Sequence, residues 1–430
     1  MFVLGAALPS IELSDVRRTT GSDHLGRYYT CDDVSNFLVN QMGALKPMRV
    51  LDLGSGSGSL SLAAMTKWHT AEFLTVDVDE SAGRRLGAAV ETLPQNPRHR
   101  HLLADALRFD LPELLTKSAP TIDTAICNPP FIVPKWKRGF GSILEDAGFS
   151  SCLPVLSTVD AALLFLAQNL RLLKPDGTLG IILPDTLISS SRYRAFRHSL
   201  LDQYCVEKAI RLPRRSFYST DALAHILVIS KRRATTEQLW LYRLSTDHRL
   251  SDGLIVTNDK ATERMDYDFH AGSNTEISRR ATTAIKLGNI VTDLKRGHYS
   301  SYEARSALFP VLHTTDMTVS KLARWCDLRR FGTKTEQLLF EASGIVVASP
   351  GDILIGRVGR NLEDKVLGVA AGFPILTDCV FRLRVSKRYR DETLAQLASS
   401  RGREWLASRA YGVGARQITK ADLLSFPVSL

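Results

Sequence analysis

The chain has 430 residues, of which 44% are hydrophobic, 23% charged and 8% aromatic, and its mean hydropathy is −0.06. At roughly 100–200 residues per domain this length predicts two or three domains, and the composition excludes disordered, collagen-like and membrane-spanning proteins. Lys and Arg number 55 against 45 Asp and Glu, which leaves a net charge of +10. A basic excess favours a polyanionic partner, because each cation that neutralises a phosphate releases a condensed counterion.

From about residue 34 to residue 233, short strand patterns alternate with helical ones, which is typical of a parallel sheet wrapped by helices. The predicted strands are Arg49–Leu53, Phe73–Val78, His101–Ala104, Thr124–Cys127, Leu179–Leu183, Val206–Arg211 and His225–Ser230. The predicted helices include Ser81–Leu93, Asp160–Leu173 and Ser191–Gln203. Residues 236–280 are polar and weakly periodic, and from about residue 281 Gly-rich turns separate short strands. We therefore predict an α/β domain over residues 1–235, a connecting segment over 236–280 and a second domain over 281–430.

Positive charge is concentrated in the second predicted domain. Residues 281–430 contain 22 Lys and Arg against 14 Asp and Glu, so they carry eight of the ten net positive charges of the chain. Most charged runs are solvated surface, but this concentration favours a polyanion-binding domain.

The cysteines and the N-terminal residues indicate in which cellular compartment the protein is expected. The six cysteines are scattered without a Cys-x-x-Cys pair, so the sequence predicts neither a disulfide framework nor a metal site and favours a reducing cytoplasm. Residues 2–9 are apolar, but no basic segment precedes them and they are short for a signal peptide. No stretch approaches 18 uninterrupted apolar residues, so we expect a cytoplasmic protein without a membrane span.

The first motif with chemical meaning is the glycine-rich run Asp52-Leu53-Gly54-Ser55-Gly56-Ser57-Gly58, which follows the first predicted strand and opens a helix. Glycines let a tightly turned backbone approach a ligand closely. A dinucleotide-binding fingerprint would place its third glycine where this chain has Ser59. The pattern instead resembles the first motif of class I S-adenosylmethionine (SAM) methyltransferases, which assigns Asp52, Gly54, Gly56 and Gly58 to SAM binding. An ordinary Gly/Ser loop is the alternative.

Two carboxylates follow the next two predicted strands. Asp77 comes about 20 residues after the glycines, where a carboxylate can accept hydrogen bonds from both hydroxyls of a ribose, and Asp79 is the second choice. Asp105 follows the third strand, where a carboxylate can accept from the amino group of an adenine. Each Asp alone fits a helix N-cap or a loop at least as well, but their order behind the glycine run supports cofactor binding.

Asn128-Pro129-Pro130-Phe131 ends the fourth predicted strand. Two prolines directly after Asn fix the backbone in an extended turn, in which the Asn side-chain oxygen and the Pro129 carbonyl can face one point. Two acceptors there would bind an exocyclic amino group and localise the lone pair on its nitrogen, which becomes a nucleophile for a methyl group on sulfonium. Phe131 offers a flat face for stacking a heterocycle. The alternative is a plain proline turn without a catalytic role, and the glycine run upstream argues against it.

Together these motifs resemble the N6-adenine DNA methyltransferases of restriction–modification systems, in the group whose cofactor motif precedes Asn-Pro-Pro-Phe/Tyr and whose target-recognition domain follows. Gly26-Arg27-Tyr28-Tyr29-Thr30 is similar to the family segment that covers the methionine part of SAM. That similarity implies cofactor roles for Tyr28 and Thr30, although Cys31 stands where the family has Pro. Phe217-Tyr218-Ser219-Thr220 resembles the late segment that lines the target-base pocket. The resemblance covers most of residues 24–233.

The C-terminal half resembles the target-recognition domains of type I specificity subunits. The matching pieces are specific only through their order, and they are Leu287–Val291, Lys295–Gly297, Pro350–Ile355, Gly402–Leu406 and Gly412–Ile418. The resemblance implies a class I SAM-methyltransferase Rossmann-like sheet with helices on both faces, followed by an α+β recognition domain. The glycine run begins near residue 50, which leaves no room for the helical N-terminal domain of type I modification subunits. We therefore expect one chain that joins catalysis to one recognition module.

These parts predict a site-specific DNA adenine-N6 methyltransferase with SAM as its cofactor and double-stranded DNA as its partner. The target adenine must leave the duplex to reach a SAM pocket, and phosphate contacts and the stacking face must offset the cost of unstacking it. A separate basic domain supplies phosphate anchors and reads base edges. The candidate DNA contacts are Arg296, Arg305, Arg357, Arg360 and Arg416, and for each of them an ordinary surface position is the alternative.

Several alternatives stay open at this point. The main one is an RNA (adenine or guanine) or protein-glutamine methyltransferase, because Asn-Pro-Pro-Phe/Tyr recurs in those enzymes, whereas the large C-terminal region favours DNA. C5-cytosine methylation needs a Cys nucleophile, usually in a Pro-Cys pair that this chain lacks, and N4-cytosine enzymes more often carry Ser or Asp before Pro-Pro. The intact motifs oppose a DNA-binding module with an inactive cofactor fold. The recognition sequence, the choice between monomer and homodimer, and an accompanying restriction endonuclease stay undetermined.

Overall fold

A computed structural model describes residues 31–116, 121–150, 159–218, 220–234, 237–274, 284–317 and 325–429. Within these ranges the chain divides into two compact units, one formed by the residues up to 173 and the other by the residues from 174 onwards. The first unit holds the glycine-rich run and the Asn-Pro-Pro-Phe motif. The second unit holds the remaining strands of the predicted α/β domain and all of the predicted recognition domain.

The first unit is a parallel α/β structure. Its strands are β1 (Arg49–Leu53), β2 (Glu72–Asp77), β3 (Arg98–Leu103) and β4 (Ile122–Cys127). Its helices are α1 (Asp32–Gln41), α2 (Ser59–Lys67), α3 (Glu80–Glu91), α4 (Leu111–Thr116), α5 (Arg138–Asp146) and α6 (Ala161–Leu172). The four strands lie in the order β3-β2-β1-β4 and run parallel to one another. The four strands predicted here, and the helices predicted near α3 and α6, are confirmed to within a few residues.

The second unit begins with five strands, which lie in the order β5-β7-β6-β8-β9. They are β5 (Leu173–Pro184), β6 (Cys205–Arg211), β7 (Ala224–Ser230), β8 (Gln238–Arg243) and β9 (Leu254–Thr257). The prediction of a wholly parallel sheet is wrong at β7, which pairs antiparallel with both β5 and β6. The described residues of 212–223 contain no helix, and antiparallel neighbours need no crossover helix. The accompanying helices are α7 (Asp185–Ser189), α8 (Arg194–Gln203), α9 (Asn258–Glu263) and α10 (Tyr267–Asn274).

The segment predicted as a connection, residues 236–280, contains regular structure that its weak periodicity did not indicate. It includes β8, which pairs parallel with β6, and β9, which pairs antiparallel with β8. Only alternate residues of β8 are buried, so its hydrophobic signal is that of a half-exposed strand, and α9 is only six residues long. Short, half-exposed elements leave little periodicity in the sequence. The predicted domain limits of 1–235, 236–280 and 281–430 stay a prediction.

The rest of the second unit is built on a five-stranded sheet of order β11-β18-β14-β16-β13, in which β11 is Val291–Arg296, β13 is Trp325–Asp327, β14 is Ile353–Gly356, β16 is Val366–Ala371 and β18 is Val380–Val385. Smaller pairings join β10 (Ala284–Lys286) to β20 (Pro427–Ser429), β12 (Val311–Leu312) to β17 (Ile375–Leu376), and β15 (Val358–Gly359) to β19 (Arg416–Gln417). The helices are α11 (Ser301–Ser306), α12 (Lys334–Ala342), α13 (Arg390–Leu397), α14 (Ser400–Arg409) and α15 (Lys420–Leu424). Single 3-10 turns lie at Ser191–Tyr193, Leu287–Asn289, Thr314–Asp316, Arg329–Phe331, Leu362–Asp364 and Lys387–Tyr389.

This five-stranded sheet is buried on both faces. Ile353 and Ile355 of β14 belong to one apolar cluster, which includes Trp405 of α14, whereas Leu354 belongs to another, which includes Met317. Successive side chains of a strand point to opposite faces, so the uninterrupted run of apolar residues in β14 serves both cores. The predicted mixture of helices and short strands in this region is confirmed.

A buried carboxylate ties the end of β5 to the C-terminal part of the second unit. Asp185, which directly follows β5, accepts a hydrogen bond from Gly412 N–H at 2.6 Å and lies 2.9 Å from His225 Nε2 of β7. A second bond runs from Leu223 N–H to the Val413 carbonyl at 2.8 Å. The segment around Gly412, predicted from its resemblance to recognition domains, is therefore bonded to the residue that follows β5 and to the residue that precedes β7.

The α/β fold class is confirmed by this architecture. None of the helices in the described ranges is long and apolar enough to cross a membrane.

Candidate functional site

The predicted cofactor and catalytic residues of the first unit gather around a cavity of about 310 Å³. β1 lies between β2 and β4, and the carboxyl ends of parallel neighbours meet at one edge of a sheet, where ligands bind in open α/β folds. The predicted residues that line the cavity are Asp52, Gly54, Gly56, Asp77, Asp105, Asn128 and Pro130. Its apolar wall includes Leu60, Val78, Leu107, Ile132, Phe140 and Phe165.

The glycine-rich run forms a tight turn between β1 and α2. Gly54 and Gly58 have φ angles of 73° and 84°, in the left-handed region that favours glycine. Gly54 N–H donates to the Val76 carbonyl of β2 at 2.7 Å, which holds the turn against the end of that strand. A Cβ atom on Gly58 would lie 2.6 Å from Leu86 Cδ1 of α3. The close approach of the turn to α3 therefore requires a residue without a side chain at this position.

Asp77 ends β2 with a buried carboxylate at the cavity. Its Oδ2 accepts from Gly56 N–H at 2.8 Å and its Oδ1 accepts from Asp79 N–H at 2.9 Å. An ionised carboxylate has about four acceptor positions, so capacity remains for a ribose hydroxyl. Asp79, the second choice, instead caps α3 by accepting from Ser81 N–H at 2.9 Å. The structure thus favours Asp77 over Asp79 for the predicted ribose contact.

Asp52, like Asp77, is buried, and the pKa of its carboxyl group is raised. Burial raises the pKa of its carboxyl group to about 7, and the nearby charge of Asp77 adds to this, while a 2.6 Å hydrogen bond from the Ser61 hydroxyl opposes it. The Asp52 side chain therefore changes charge near neutral pH at the base of the cavity.

Asp105 is positioned from two sides. Its Oδ1 accepts from Leu107 N–H at 2.9 Å and its Oδ2 pairs with Lys137 Nζ at 2.7 Å. Gln168 of α6 donates to the Ala106 carbonyl at 3.0 Å, which ties the loop after β3 to that helix. Sequence reasoning missed Lys137, which lines the cavity. Lys137 belongs to a basic stretch that begins four residues after the Asn-Pro-Pro-Phe motif, but nothing in that stretch indicates a contact with Asp105.

The Asn-Pro-Pro-Phe motif leaves β4 at the rim of the cavity. Asn128 is half-buried, and its Oδ1 atom is shielded from solvent. Pro129 is buried, and Phe131 is half-buried. Cys127, one residue earlier, donates from Sγ to the Leu53 carbonyl at 3.3 Å inside the sheet, and burial raises the pKa of its thiol well above the ordinary value. A thiol in that environment is not an activated nucleophile, which agrees with the prediction against C5-cytosine chemistry.

Two predicted cofactor residues, Tyr28 and Thr30, lie outside the described residues. In the late segment assigned to the target-base pocket, Phe217 is buried, whereas Tyr218 is 45% exposed. Phe217 therefore belongs to the core of the second unit, and Tyr218 is the aromatic ring of this segment that can meet a ligand.

The residues around the cavity fit SAM. The two carboxylates Asp77 and Asp105 match the hydroxyl and amino donors of an adenosine, and the apolar side chains beside them match its flat base and its methylene groups. Gly54 and Gly56 of the glycine turn line the cavity with their backbone, because they have no side chains to fill it. A compact mixed cavity with a few convergent polar groups is the usual form of a small-molecule site.

The five arginines predicted to contact DNA separate into three groups in the second unit. Arg296 and Arg357 line a cavity of about 350 Å³, together with Lys420, which was not predicted. Arg305 and Arg360 are exposed, and Arg360 lies 3.4 Å from Asp221.

Arg416 requires a correction. It is 7% exposed and donates to the Ala407 and Ala410 carbonyls, so its guanidinium group holds the end of α14 rather than facing a partner. The sequence around Arg416 is rich in glycine, and it did not indicate that the arginine side chain is buried. Arg416 therefore leaves the set of proposed DNA contacts.

Comparison with known proteins points to one family. The model of the N-6 DNA methylase family matches residues 13–271. The EcoEI methylase subunit of a type I restriction enzyme from Escherichia coli is 22% identical over 59% of this chain and 51% of its own length. A tRNA1(Val) (adenine(37)-N6)-methyltransferase from Flavobacterium psychrophilum is 25% identical over 32% of this chain and 53% of its own length. The chain thus spans about half the length of these curated relatives.

A solved structure extends the likeness over nearly the whole chain. The type IIG restriction endonuclease BpuSI has a TM-score of 0.51 and 13% identity, and the match covers 95% of this chain and 59% of that protein. At this identity the likeness concerns the fold alone.

Proposed function

The chain belongs to the N-6 DNA methylase family, and on that premise we propose that it transfers the methyl group of SAM to the N6 amino group of an adenine in double-stranded DNA. One observation carries the proposal: Asn128 lines the same cavity as the glycine turn, Asp77 and Asp105. The motif proposed to hold the methyl-accepting base and the motif proposed to bind the cofactor therefore share one space.

The residues around the cavity divide the work of binding. Asp77 accepts from the ribose hydroxyls, and Asp105 accepts from the adenine amino group of the cofactor after Lys137 yields one of its oxygens. The Gly54 and Gly56 backbone borders the cofactor, and the roles of Tyr28 and Thr30 on its methionine part are carried over from the family resemblance alone. When bound, SAM supplies a methyl group made electrophilic by the neighbouring sulfonium.

Asn128 and its two prolines act on the target base. The Asn128 Oδ1 atom and the Pro129 carbonyl accept the two hydrogens of the exocyclic amino group, which withdraws the nitrogen lone pair from the ring. Once methylated, the nitrogen releases one of its two protons. The turn held by Pro129 and Pro130 keeps both acceptors in place, and Phe131 stacks on the base. A polar group preorganised in a site closed to water stabilises developing charge better than water does.

The second unit supplies the contacts with the duplex. An adenine inside a duplex is out of reach and must be turned out, at a cost of about a few kcal/mol. Arg296 and Arg357, joined by Lys420 around one cavity, and the exposed Arg305 and Arg360 are the proposed phosphate and base contacts. The activity fits a restriction–modification or related defence system in the cytoplasm, with a separate endonuclease as a partner to be sought.

A nucleoside assay tests this proposal. Purified protein is incubated with SAM and unmethylated bacteriophage DNA, and the nucleosides are measured by mass spectrometry after digestion. N6-methyladenine in DNA is the expected product. N4-methylcytosine in DNA would mean that the same site acts on cytosine instead of adenine. If the protein binds SAM in a separate calorimetric measurement but forms no product in DNA, the proposal is overturned.

A second candidate is methylation of RNA, which the partial likeness to a tRNA methyltransferase favours. Parallel reactions with tRNA and with ribosomal RNA, both lacking the modification, decide between the candidates. Product in RNA alone would make the C-terminal region an RNA-binding region, whereas product in DNA alone is what the basic second unit predicts. A protein-glutamine substrate is detected in the same experiment by transfer of labelled methyl to protein.

A further inference from the structure

The segment that follows the catalytic motif, residues 132–138, has features that the proposed chemistry does not use. We call it the rim segment. Ile132, Pro134, Lys135 and Lys137 of this segment line the cavity that also holds Asn128. The rim segment therefore borders the opening through which a target base would enter.

The rim segment is basic. It contains Lys135, Lys137 and Arg138, and from Asn128 to Leu144 the sequence has no acidic residue. Lys137 is paired with Asp105, but within the described ranges no ion pair engages Lys135 or Arg138, and both are exposed. Exposed cations raise the local concentration of an anionic partner, and here one of them, Lys135, lines the cavity itself while Arg138 begins α5 directly after the lining residue Lys137.

The rim segment also presents apolar surface between its charges. Val133 is 56% exposed and Trp136 is 36% exposed. The Trp136 ring meets Phe140 of α5 edge to face, with the ring centroids 5.6 Å apart, and Phe140 is buried. One side of the indole is thus anchored on the core while another side stays open to solvent. A large aromatic ring held in this way loses little conformational freedom when it stacks on a flat ligand.

Basic side chains interleaved with an exposed aromatic ring are the combination that binds nucleic acid through phosphates and stacking. We propose that the rim segment is a second DNA-contacting surface, in which Lys135 and Arg138 bind phosphates beside the target adenine and Trp136 stacks on a base left exposed when that adenine leaves the duplex. This inference rests on the proposed function. It adds a DNA contact from the catalytic unit itself, separate from the arginines of the second unit.

The arrangement has a physical purpose. Extruding a base removes its stacking on both neighbours, and apolar or aromatic side chains at the gap recover part of that free energy. Phosphate contacts close to the cavity hold the strand at the site of the reaction.

The test uses charge-matched double variants of the full chain. Lys135→Gln/Arg138→Gln removes two cations of the rim segment. Lys46→Gln/Arg98→Gln removes two exposed cations that lie before β1 and at the start of β3, at the amino ends of the strands, whereas the cavity lies at the carboxyl ends. The affinity for unmethylated bacteriophage DNA is measured at several salt concentrations, together with methyl transfer to that DNA and SAM binding by calorimetry. Trp136→Ala and Trp136→Phe complete the set.

We expect the rim double variant to reduce the slope of log affinity against log salt by about 1.8, since each neutralised phosphate contributes about 0.9 to that slope, while the control leaves it unchanged. Trp136→Ala should lower kcat/KM for DNA by about tenfold, and Trp136→Phe should retain most of the activity because it keeps an aromatic face. Equal slopes for the two double variants, or full activity of Trp136→Ala, would overturn the inference. Loss of SAM binding in the rim variant would also overturn it, by assigning the segment to the cofactor site. Failure of the wild-type protein to methylate DNA concerns the proposed function and is seen before any variant is compared.

Discussion

The cofactor and catalytic residues of the first unit and the DNA-contacting arginines of the second unit were both predicted from the sequence. The structure brings the first set together but separates the second. At the cavity, predicted residues that end or follow four neighbouring strands lie together, because parallel strands bring their carboxyl ends to one edge. In the second unit, five arginines chosen from their order in the sequence separate into a pair at a cavity, two exposed residues and one interior residue. The ends of neighbouring parallel strands share one edge of a sheet, whereas the five arginines lie on separate elements whose packing their order in the sequence does not indicate.

The strongest test of the cavity side of this comparison is Asn128→Ala. We expect methyl transfer to fall by at least about 10³-fold, because a preorganised polar group at the reacting atoms is removed. SAM and DNA binding should stay within a few fold of the wild type. Asn40→Ala, an exposed change on α1, is the control. Combined loss of activity, SAM binding and folding would instead assign Asn128 a structural role.

Asp52 gives the cavity edge a dependence on pH. Its pKa is raised from 3.8 to about 7, so between those values the folded state holds a proton that the unfolded state has released. The free energy of unfolding should therefore fall as pH rises from about 4 to 7, by up to about 4 kcal/mol in total. Urea unfolding of the wild type and of Asp52→Asn at pH 5 and pH 7.5 measures this. Asp52→Asn should remove the fall, and the exposed Asp252→Asn should keep it.

Arg416 and Arg296 distinguish interior from surface arginines in the second unit. Arg416→Gln leaves two buried carbonyls without their donor and should lower the free energy of unfolding by about 3 kcal/mol. Arg296→Gln should leave the melting temperature within about 1 °C of the wild type and reduce the salt slope of DNA binding by about 1. Thermal melts and binding titrations of both variants are compared. Weaker DNA binding by a fully stable Arg416→Gln protein would restore that residue to the DNA-contacting set.

Two glycines test the turn itself. Gly58→Ala should lower the free energy of unfolding by about 2 kcal/mol, because the new Cβ would meet Leu86 and the backbone is in the left-handed region. Gly87→Ala, on the adjoining helix α3 with nothing within 4 Å of the added atom, should raise it by about 0.5–1 kcal/mol. Chemical denaturation of both variants shows the difference. Similar values for the two would mean that the turn relaxes without cost.

Sequence reasoning recovered strands β1 to β7 and the motif residues at the ends of β1 to β4, since buried strands are apolar runs and the motifs follow them directly. It failed at β7, whose direction depends on a missing crossover rather than on composition. It also failed in residues 236–280, where β8 alternates buried and exposed residues. Lys137 was missed because its role comes from a partner, Asp105, that lies 32 positions away in the chain. Contacts between distant side chains have no local pattern from which they can be predicted.

Under the proposed function, the bond between Asp185 and Gly412 limits how a new DNA specificity could be acquired. Position 412 must offer a backbone N–H to a buried carboxylate, and it has a φ of 129° with a Cβ position 2.6 Å from the Ala415 carbonyl oxygen. A recognition module transplanted from another enzyme would keep this attachment only if the crossover point lies before Tyr411. The segment from Tyr411 to Gln417 must therefore be retained in such an exchange. The five-stranded sheet and the helices that precede this segment are the part that can be replaced.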